Sequence, residues 1–379
     1  MDRRVLTLDE ATCRRRTSLK WRRHPADVLP LWIAEMDTRP APAVTEEIQR
    51  IARDGDLGYP MPHRYLEAVA SSYARWGAHV DPSRMVPVTD VLTGMRAGVI
   101  AFTQPADPVY VTVPVYPPFH AIVEDLGRRR VEVRLDAAGR LDAEALERAF
   151  AEHGRGALLL ANPHNPTGTV PTATELGDVA RAALRHGVGV ISDEVHAPLV
   201  LPGATFTPLL ALAQAQSFLA VISAAKGWNL AGLKAAVLIG GTGAGATMSR
   251  LPRGLEHTTG HVAVRVHTVA LEHGQDWLAE VVADLDANRT LLAGLLGEHL
   301  PGVLWRPVEA TYLAWLDCRG LHLEADPAQH FLEVAKVALT PGTPFGSGAG
   351  HARLNFATSP GILTQAIERM AGSLTGRRG

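Results

Sequence analysis

Between about residues 85 and 240, short apolar runs alternate with stretches of helical period. The runs are Val109–Val113, Ala157–Ala161, Val188–Ser192, Phe218–Ile222 and Ala235–Ile239. Nearly unbroken apolar runs of four to six residues are expected of strands covered on both faces, as in a parallel sheet. Between them, polar and apolar positions alternate with helical spacing from Asp142 to about His153 and from Thr172 to His186. Glu175 stands three residues after Thr172, the spacing of a capping box. Towards the C-terminus the pattern predicts helices over Thr258–His273 and Asp276–His299. Strands at Thr311–Leu316, Val337–Leu339 and Ala352–Phe356 follow, then a closing helix from about Leu363. The fold class is therefore α/β. A large domain with a mostly parallel sheet flanked by helices is expected over residues 46–270. A smaller α+β domain is expected from residues 1–45 and 271–379.

Composition narrows the function without naming it. Lys+Arg 37 against Asp+Glu 39 leaves a net charge of −2, so binding of nucleic acid through bulk charge is not expected. Arginines cluster at Arg3-Arg4, Arg14–Arg16 and Arg22-Arg23, but acidic residues are interspersed and no aromatic residues accompany them in a base-stacking pattern. They read as solvated or interface surface. No run of 18 apolar residues predicts a membrane span, and the first 30 residues hold no apolar signal segment. Two cysteines, Cys13 and Cys318, cannot form a disulfide framework, which makes the cytoplasm the expected compartment. Sixteen histidines include no His-Glu-x-x-His pattern, and no metal site is expected from pairs such as His257 and His261.

Ligands of open α/β sheets gather at the carboxyl ends of the strands. Four strand ends here carry chemistry. One continues into Pro114-Val115-Tyr116-Pro117-Pro118-Phe119 and another into Asn162-Pro163-His164-Asn165-Pro166-Thr167-Gly168. The third reaches Asp193-Glu194-Val195-His196, and the fourth Ser223-Ala224-Ala225-Lys226-Gly227-Trp228-Asn229. Each segment alone is weak. Together they bring an amine, a carboxylate, an amide and an aromatic ring to one sheet edge. Pyridoxal 5'-phosphate needs such groups: a lysine to bind its aldehyde, a carboxylate at its ring nitrogen, an amide at its ring hydroxyl, and a ring stacked on its face.

On these motifs the chain resembles fold-type I pyridoxal-phosphate enzymes of the class I/II aminotransferase superfamily. The segments Leu29-Pro30-Leu31-Trp32-Ile33-Ala34-Glu35-Met36-Asp37 and Thr311-Tyr312-Leu313-Ala314-Trp315-Leu316-Asp317 resemble its cystathionine β-lyase branch, the cysteine-S-conjugate β-lyases of MalY/PatB type. The likeness covers nearly the whole chain.

The resemblance implies roles. Lys226 would carry the cofactor and act as the base. Asp193 would pair with the ring nitrogen, Asn165 would meet the ring hydroxyl, and Tyr116 would stack. Ser223, Lys234 and the amides of Thr93 and Gly94 would hold the phosphate, and Tyr59 would reach the phosphate of a neighbouring subunit in a homodimer. Tyr59 or Lys226 would protonate the leaving sulfur. Arg353 would clamp the substrate carboxylate, and His196 stands where aminotransferases have a tyrosine. Asp90 departs from the glycine expected in a Gly-Val-Val-Pro-Gly phosphate loop, and an anion there would weaken phosphate binding unless it points away. The implied reaction is elimination of a thiol from L-cystathionine or a related L-cysteine S-conjugate. An aminotransferase using the same residues, or a cofactor-bearing regulatory protein, are the alternatives.

Overall fold

The computed structural model describes residues 4–375. Its strands in chain order are β1 (Leu29–Pro30), β2 (Met85–Val88), β3 (Pro108–Val113), β4 (Arg129–Arg134), β5 (Ala157–Ala161) and β6 (Gly189–Asp193). There follow β7 (Leu219–Ile222), β8 (Ala236–Gly240), β9 (Leu313–Asp317), β10 (Val337–Ala338), β11 (Thr340–Pro341) and β12 (His351–Asn355). Seven form the central sheet, in the order β2-β8-β7-β6-β5-β3-β4. From β4 to β7 every neighbouring pair is parallel.

The five apolar runs are all strands, and all are buried. Alternate residues feed two cores. Val109, Leu159, Ile191, Val221 and Leu238 face one cluster. Tyr110, Leu158, Val190, Ala220 and Val237 face the other. This division explains the unbroken hydrophobicity: each strand is covered on both sides.

The sheet is mostly parallel, as expected, with one antiparallel member. Strand β8 runs antiparallel to both β7 and β2. Apolarity reports burial and not direction. The link from β7 to β8 contains no crossover helix, which a parallel neighbour would require, and this link carries Lys226. Two further strands lack the buried signature altogether. The edge strand β4 is arginine-rich, with only Val131 and Val133 buried. The other edge, β2, contains Pro87, which an edge strand tolerates.

Helix Val91–Phe102 lies close against the sheet. A Cβ at Gly94 would come within 2.8 Å of Val221, and one at Gly98 within 2.7 Å of Ile191. The capping box at Thr172 and Glu175 is formed, and the closing helix begins at Pro360, at its first turn, rather than near Leu363. Strand β9 begins only at Leu313, because Thr311 has a φ of 69°. In the last third, β11, β12 and β9 make an antiparallel sheet, while β1 pairs with β10.

The N-terminal arginines are largely engaged within the chain. Arg14 bonds Glu10 and the Val28 carbonyl, Arg16 reaches the carbonyls of Met36 and Thr38, and Arg22 reaches those of Arg14 and Arg16. Arg3 lies outside the described residues. Nearby, Lys20 donates to Asp37 at 2.8 Å and Trp21 Nε1 donates to its other oxygen at 2.7 Å, with Lys20 and Asp37 fully buried. Removing one member of a buried ion pair strands the other charge. Asp37→Ala is therefore expected to cost about 3–5 kcal/mol of stability, read by urea unfolding. A loss under about 1 kcal/mol, the range of exposed pairs, would show that the pair is dispensable.

Candidate active site

Asp193 ends β6, one residue later than the apolar run suggests, on the face packed against helix Val91–Phe102. Its carboxylate accepts from the Val195 amide at 3.1 Å. Burial pushes the carboxyl up to about 6, opposed by that amide and by Lys226. Glu194, next in the chain, faces away. It accepts from Tyr73 at 2.6 Å, Ser192 at 3.0 Å and the Leu209 amide at 2.9 Å. Burial raises it to about 7. Adjacent carboxylates thus have separate tasks: Glu194 ties elements together and Asp193 faces the site.

Lys226 lies in the link between β7 and β8, partly exposed, with Nζ 3.1 Å from the Ala34 carbonyl. Burial and the charge of Arg353 lower its amine to about 8, while Asp193 draws it upward. A cavity of about 120 Å³ lies beside it, lined by Asp90, Val91, Leu92, Tyr116, Asp193, Ser223 and Lys234 among others. Five residues singled out from the sequence, Tyr116, Asp193, Ser223, Lys226 and Lys234, therefore line one cavity.

Arg353 comes from β12 in the last third of the chain. It is buried, donates to Asn165 Oδ1 at 3.0 Å, and stands 5.1 Å from the Phe345 ring centroid. Among the described residues its Nε has no partner, and its second terminal nitrogen reaches Thr340 and the Trp32 carbonyl at 3.4–3.5 Å. Burial lowers it to about 10. His196 is buried beside Tyr312, ring centroids 6.2 Å apart, with Nδ1 unpartnered. Burial, then the charges of Lys226 and Arg353, push it down to about 3, so it is neutral. The Tyr312 hydroxyl is also buried without a partner.

Several groups expected to hold the phosphate are engaged within the chain. The Thr93 amide donates to Asp90 Oδ1 at 2.9 Å and the Gly94 amide to the Asp90 carbonyl at 3.1 Å, so both are engaged in the helix cap. Gly94 instead permits the helix to approach Val221. The amides of Val91 and Leu92, which line the cavity, make no hydrogen bond among the described residues. Ser223 is in place, but its hydroxyl donates to the Ala235 carbonyl at 2.6 Å and accepts from the Ala225 amide. Asp90 does not point away from the cavity; it lines it. Tyr59 is 99% exposed and is not among the residues lining this cavity within its own chain.

The sequence reading missed the structure that covers Lys226. Residues 31–37 form a strap across it. Asn229 exchanges bonds with Met36, its side chain accepting from the amide at 2.8 Å and donating to the carbonyl at 2.9 Å. Asn355 Nδ2 donates to the carbonyls of Ile33 and Glu35, both at 2.7 Å. Lys20 donates to the Glu35 carbonyl and Ser18 to its carboxylate. Asn229 adopts a φ of 56°, a left-handed conformation that asparagine tolerates. Nothing in local sequence period signals these pairings, because each partner is more than 100 residues from the strap or lies on a different element.

These residues fit pyridoxal 5'-phosphate. The cavity joins an amine of lowered basicity to a buried carboxylate and two unbonded helix-terminal amides. The unpartnered atoms of His196, Tyr312 and Arg353 lie in the adjoining region.

Comparison with known proteins agrees. Residues 26–370 match the family model described as aminotransferase class I and II. A Mycobacterium tuberculosis protein provisionally named cystathionine beta-lyase is 47% identical over 98% of this chain and 98% of its own. The cystathionine beta-lyase of Corynebacterium glutamicum is 33% identical over 95% of this chain and 97% of its own. A crystal structure from Corynebacterium diphtheriae, provisionally described as a PLP-dependent beta-cystathionase, superposes with a TM-score of 0.92 at 33% identity, covering 98% of this chain and 99% of that one. The chain belongs to the aminotransferase class I and II family.

Proposed function

We propose that this protein is a pyridoxal-phosphate-dependent carbon–sulfur β-lyase acting on L-cystathionine or a related L-cysteine S-conjugate. The net reaction consumes one water and releases pyruvate, ammonia and a thiol. The observation that carries the reading is that Lys226 and Asp193 line one cavity, while the Asn165–Arg353 pair is tied to the same 31–37 strap that Lys226 reaches.

Bound there, the cofactor supplies an electron sink for charge that develops at the substrate Cα. The chain does the rest. Arg353 orients the substrate through its carboxylate, using the Nε and terminal N–H groups that Asn165 leaves free. Asn165, fixed by Arg353 through its oxygen, keeps its amide N–H groups for a ring hydroxyl. Asp193 holds a proton at the ring nitrogen. Tyr116 covers the ring, and the amides of Val91 and Leu92 with Lys234 meet the phosphate. Lys226 Nζ takes the Cα proton; the Cβ–S bond then breaks, and Lys226 or Tyr59 returns a proton to sulfur. His196, neutral, accepts or donates one hydrogen bond beside the ring hydroxyl without adding charge.

Tyr59 serves a second copy of the chain. It is the centre of an exposed apolar stretch with Leu57 and Met61, 71% and 81% exposed. In this homodimer each cavity is completed by the partner copy. The same reading divides the chain into a larger unit of residues 46–270, which holds Lys226, and a smaller unit of 1–45 and 271–379, which holds Arg353. No described helix is long and apolar enough to cross a membrane, and Cys13 and Cys318 are buried and unpaired, in keeping with a cytoplasmic enzyme.

The test is L-cystathionine without any keto acid. Pyruvate and free thiol are expected in equal amounts. Conversion of an added keto acid to its amino acid, with no pyruvate or thiol released from cystathionine, would replace the lyase by an aminotransferase. Negligible turnover with either, despite a bound cofactor, would leave the regulatory alternative.

A further inference from the structure

The end of the cavity nearest helix Val91–Phe102 carries a charge that an anion-binding cup does not need. Asp90 caps the helix there. Its Oδ1 accepts from the Thr93 amide and from the Thr93 hydroxyl, each at 2.9 Å, and its Oδ2 stands 3.4 Å from Lys234 Nζ. Two bonds from one residue fix the carboxylate, and it cannot swing out of the cavity without uncapping the helix. Asp90 lines the same cavity as Lys226 and Ser223. The Thr93 amide, the Thr93 hydroxyl and Lys234, three groups able to bind a phosphate, are thus turned towards an anion that the protein supplies itself. The Ser223 proton is also committed, to the Ala235 carbonyl. Two unbonded amides, Val91 and Leu92, remain at the helix terminus.

We propose that Asp90 weakens the hold on the cofactor's phosphate, so that the cofactor exchanges readily and occupancy of the enzyme follows the free cofactor concentration. This rests on reading the cavity as the site of the cofactor's phosphate. A phosphate ester is a dianion near neutral pH. Beside it, Asp90 offsets Lys234, whose side chain is 59% exposed. Attraction is then left to the helix terminus and its two amides.

Asparagine and serine are both good neutral helix caps, so Asp90→Asn and Asp90→Ser remove the charge and keep the cap. The experiment titrates wild type and both variants with pyridoxal phosphate and, separately, with pyridoxal, which has the same ring and aldehyde but no phosphate. Binding is followed by tryptophan fluorescence and by the visible absorption of the lysine-bound form. Both variants are expected to bind pyridoxal phosphate at least about tenfold more tightly, since like charges within a few ångströms repel strongly in a partly desolvated site. Pyridoxal affinity should be unchanged, and dialysis of the variant holoenzymes should lose cofactor correspondingly more slowly. Raising the salt concentration should narrow the gap. Unchanged or weaker binding of pyridoxal phosphate by the variants would overturn the proposal, as would a parallel change for pyridoxal. If wild type takes up neither compound, the reading of the cavity itself fails, and this inference with it.

Discussion

Replacing Lys226 with alanine is expected to abolish both the visible absorption of the bound cofactor and turnover, by at least about 10²–10⁴-fold, the range for a lost general acid–base group. The reason lies in the link between β7 and β8. It places one primary amine at the mouth of the cavity, 3.1 Å from the Ala34 carbonyl. Lys234 lines the same cavity but is engaged with Asp90 at its far end, so no second amine can substitute. The pH dependence of cofactor uptake by the wild-type apoprotein carries a second signature. Only the neutral amine attacks an aldehyde. Burial lowers the Lys226 amine to about 8, with Arg353 and Lys234 pushing the same way and Asp193 and Glu35 opposing. The neutral fraction therefore grows as pH rises and is nearly complete a unit above 8. The uptake rate should climb through neutral pH and level off near pH 9. A rate still rising at pH 10, as for an ordinary lysine, would contradict this environment. Substantial turnover in the alanine variant would remove Lys226 from the mechanism.

Arg353→Lys is expected to keep the cofactor and lose the substrate. Lysine conserves the charge but has no planar fork, so it cannot grip a carboxylate with two parallel N–H bonds while also reaching Asn165. A charge-assisted hydrogen bond contributes about 1.5–3 kcal/mol. Losing one or two of them should lower kcat/KM by about 10²-fold, chiefly through KM if the clamp acts equally on bound substrate and transition state. The cofactor spectrum should be intact apart from a modest change where Asn165 loses its anchor. A fall of less than about threefold, well below the value of one such bond, would mean that the carboxylate binds elsewhere.

The legible part of this molecule was the part whose physics is local. Buried strands declare themselves by continuous apolarity, and a helix start by Thr172 and Glu175. The chemistry-bearing strand ends followed from β5, β6 and β7, and the order of residues around Lys226 carried the family resemblance. What could not be read locally was direction and pairing. The antiparallel course of β8 leaves no mark on Ala235–Ile239. Edge strands β2 and β4 are too exposed or too proline-bearing to look like strands. Thr93 and Gly94 stand within two residues of the free amides, yet one turn of cap geometry decides which N–H groups are available. The assignments of Asn229 and Asn355 to the strap depend on contacts across 193 and more than 300 residues. A pattern with a period of two or 3.6 cannot report such contacts.

The 31–37 strap ties the first tenth of the chain to its last. The Asn355 amide donates to the Leu31 carbonyl, the Asp37 amide to the Ala357 carbonyl, and Arg353 reaches the Trp32 carbonyl from the same strand. During synthesis the ribosome would release Lys226 and Asp193 long before β12 emerges. A nascent chain ending before residue 351 would hold a complete β5–β8 core with the lysine uncovered and the carboxylate clamp missing. Maturation of the site thus waits until β12 is available to close over residues 31–37.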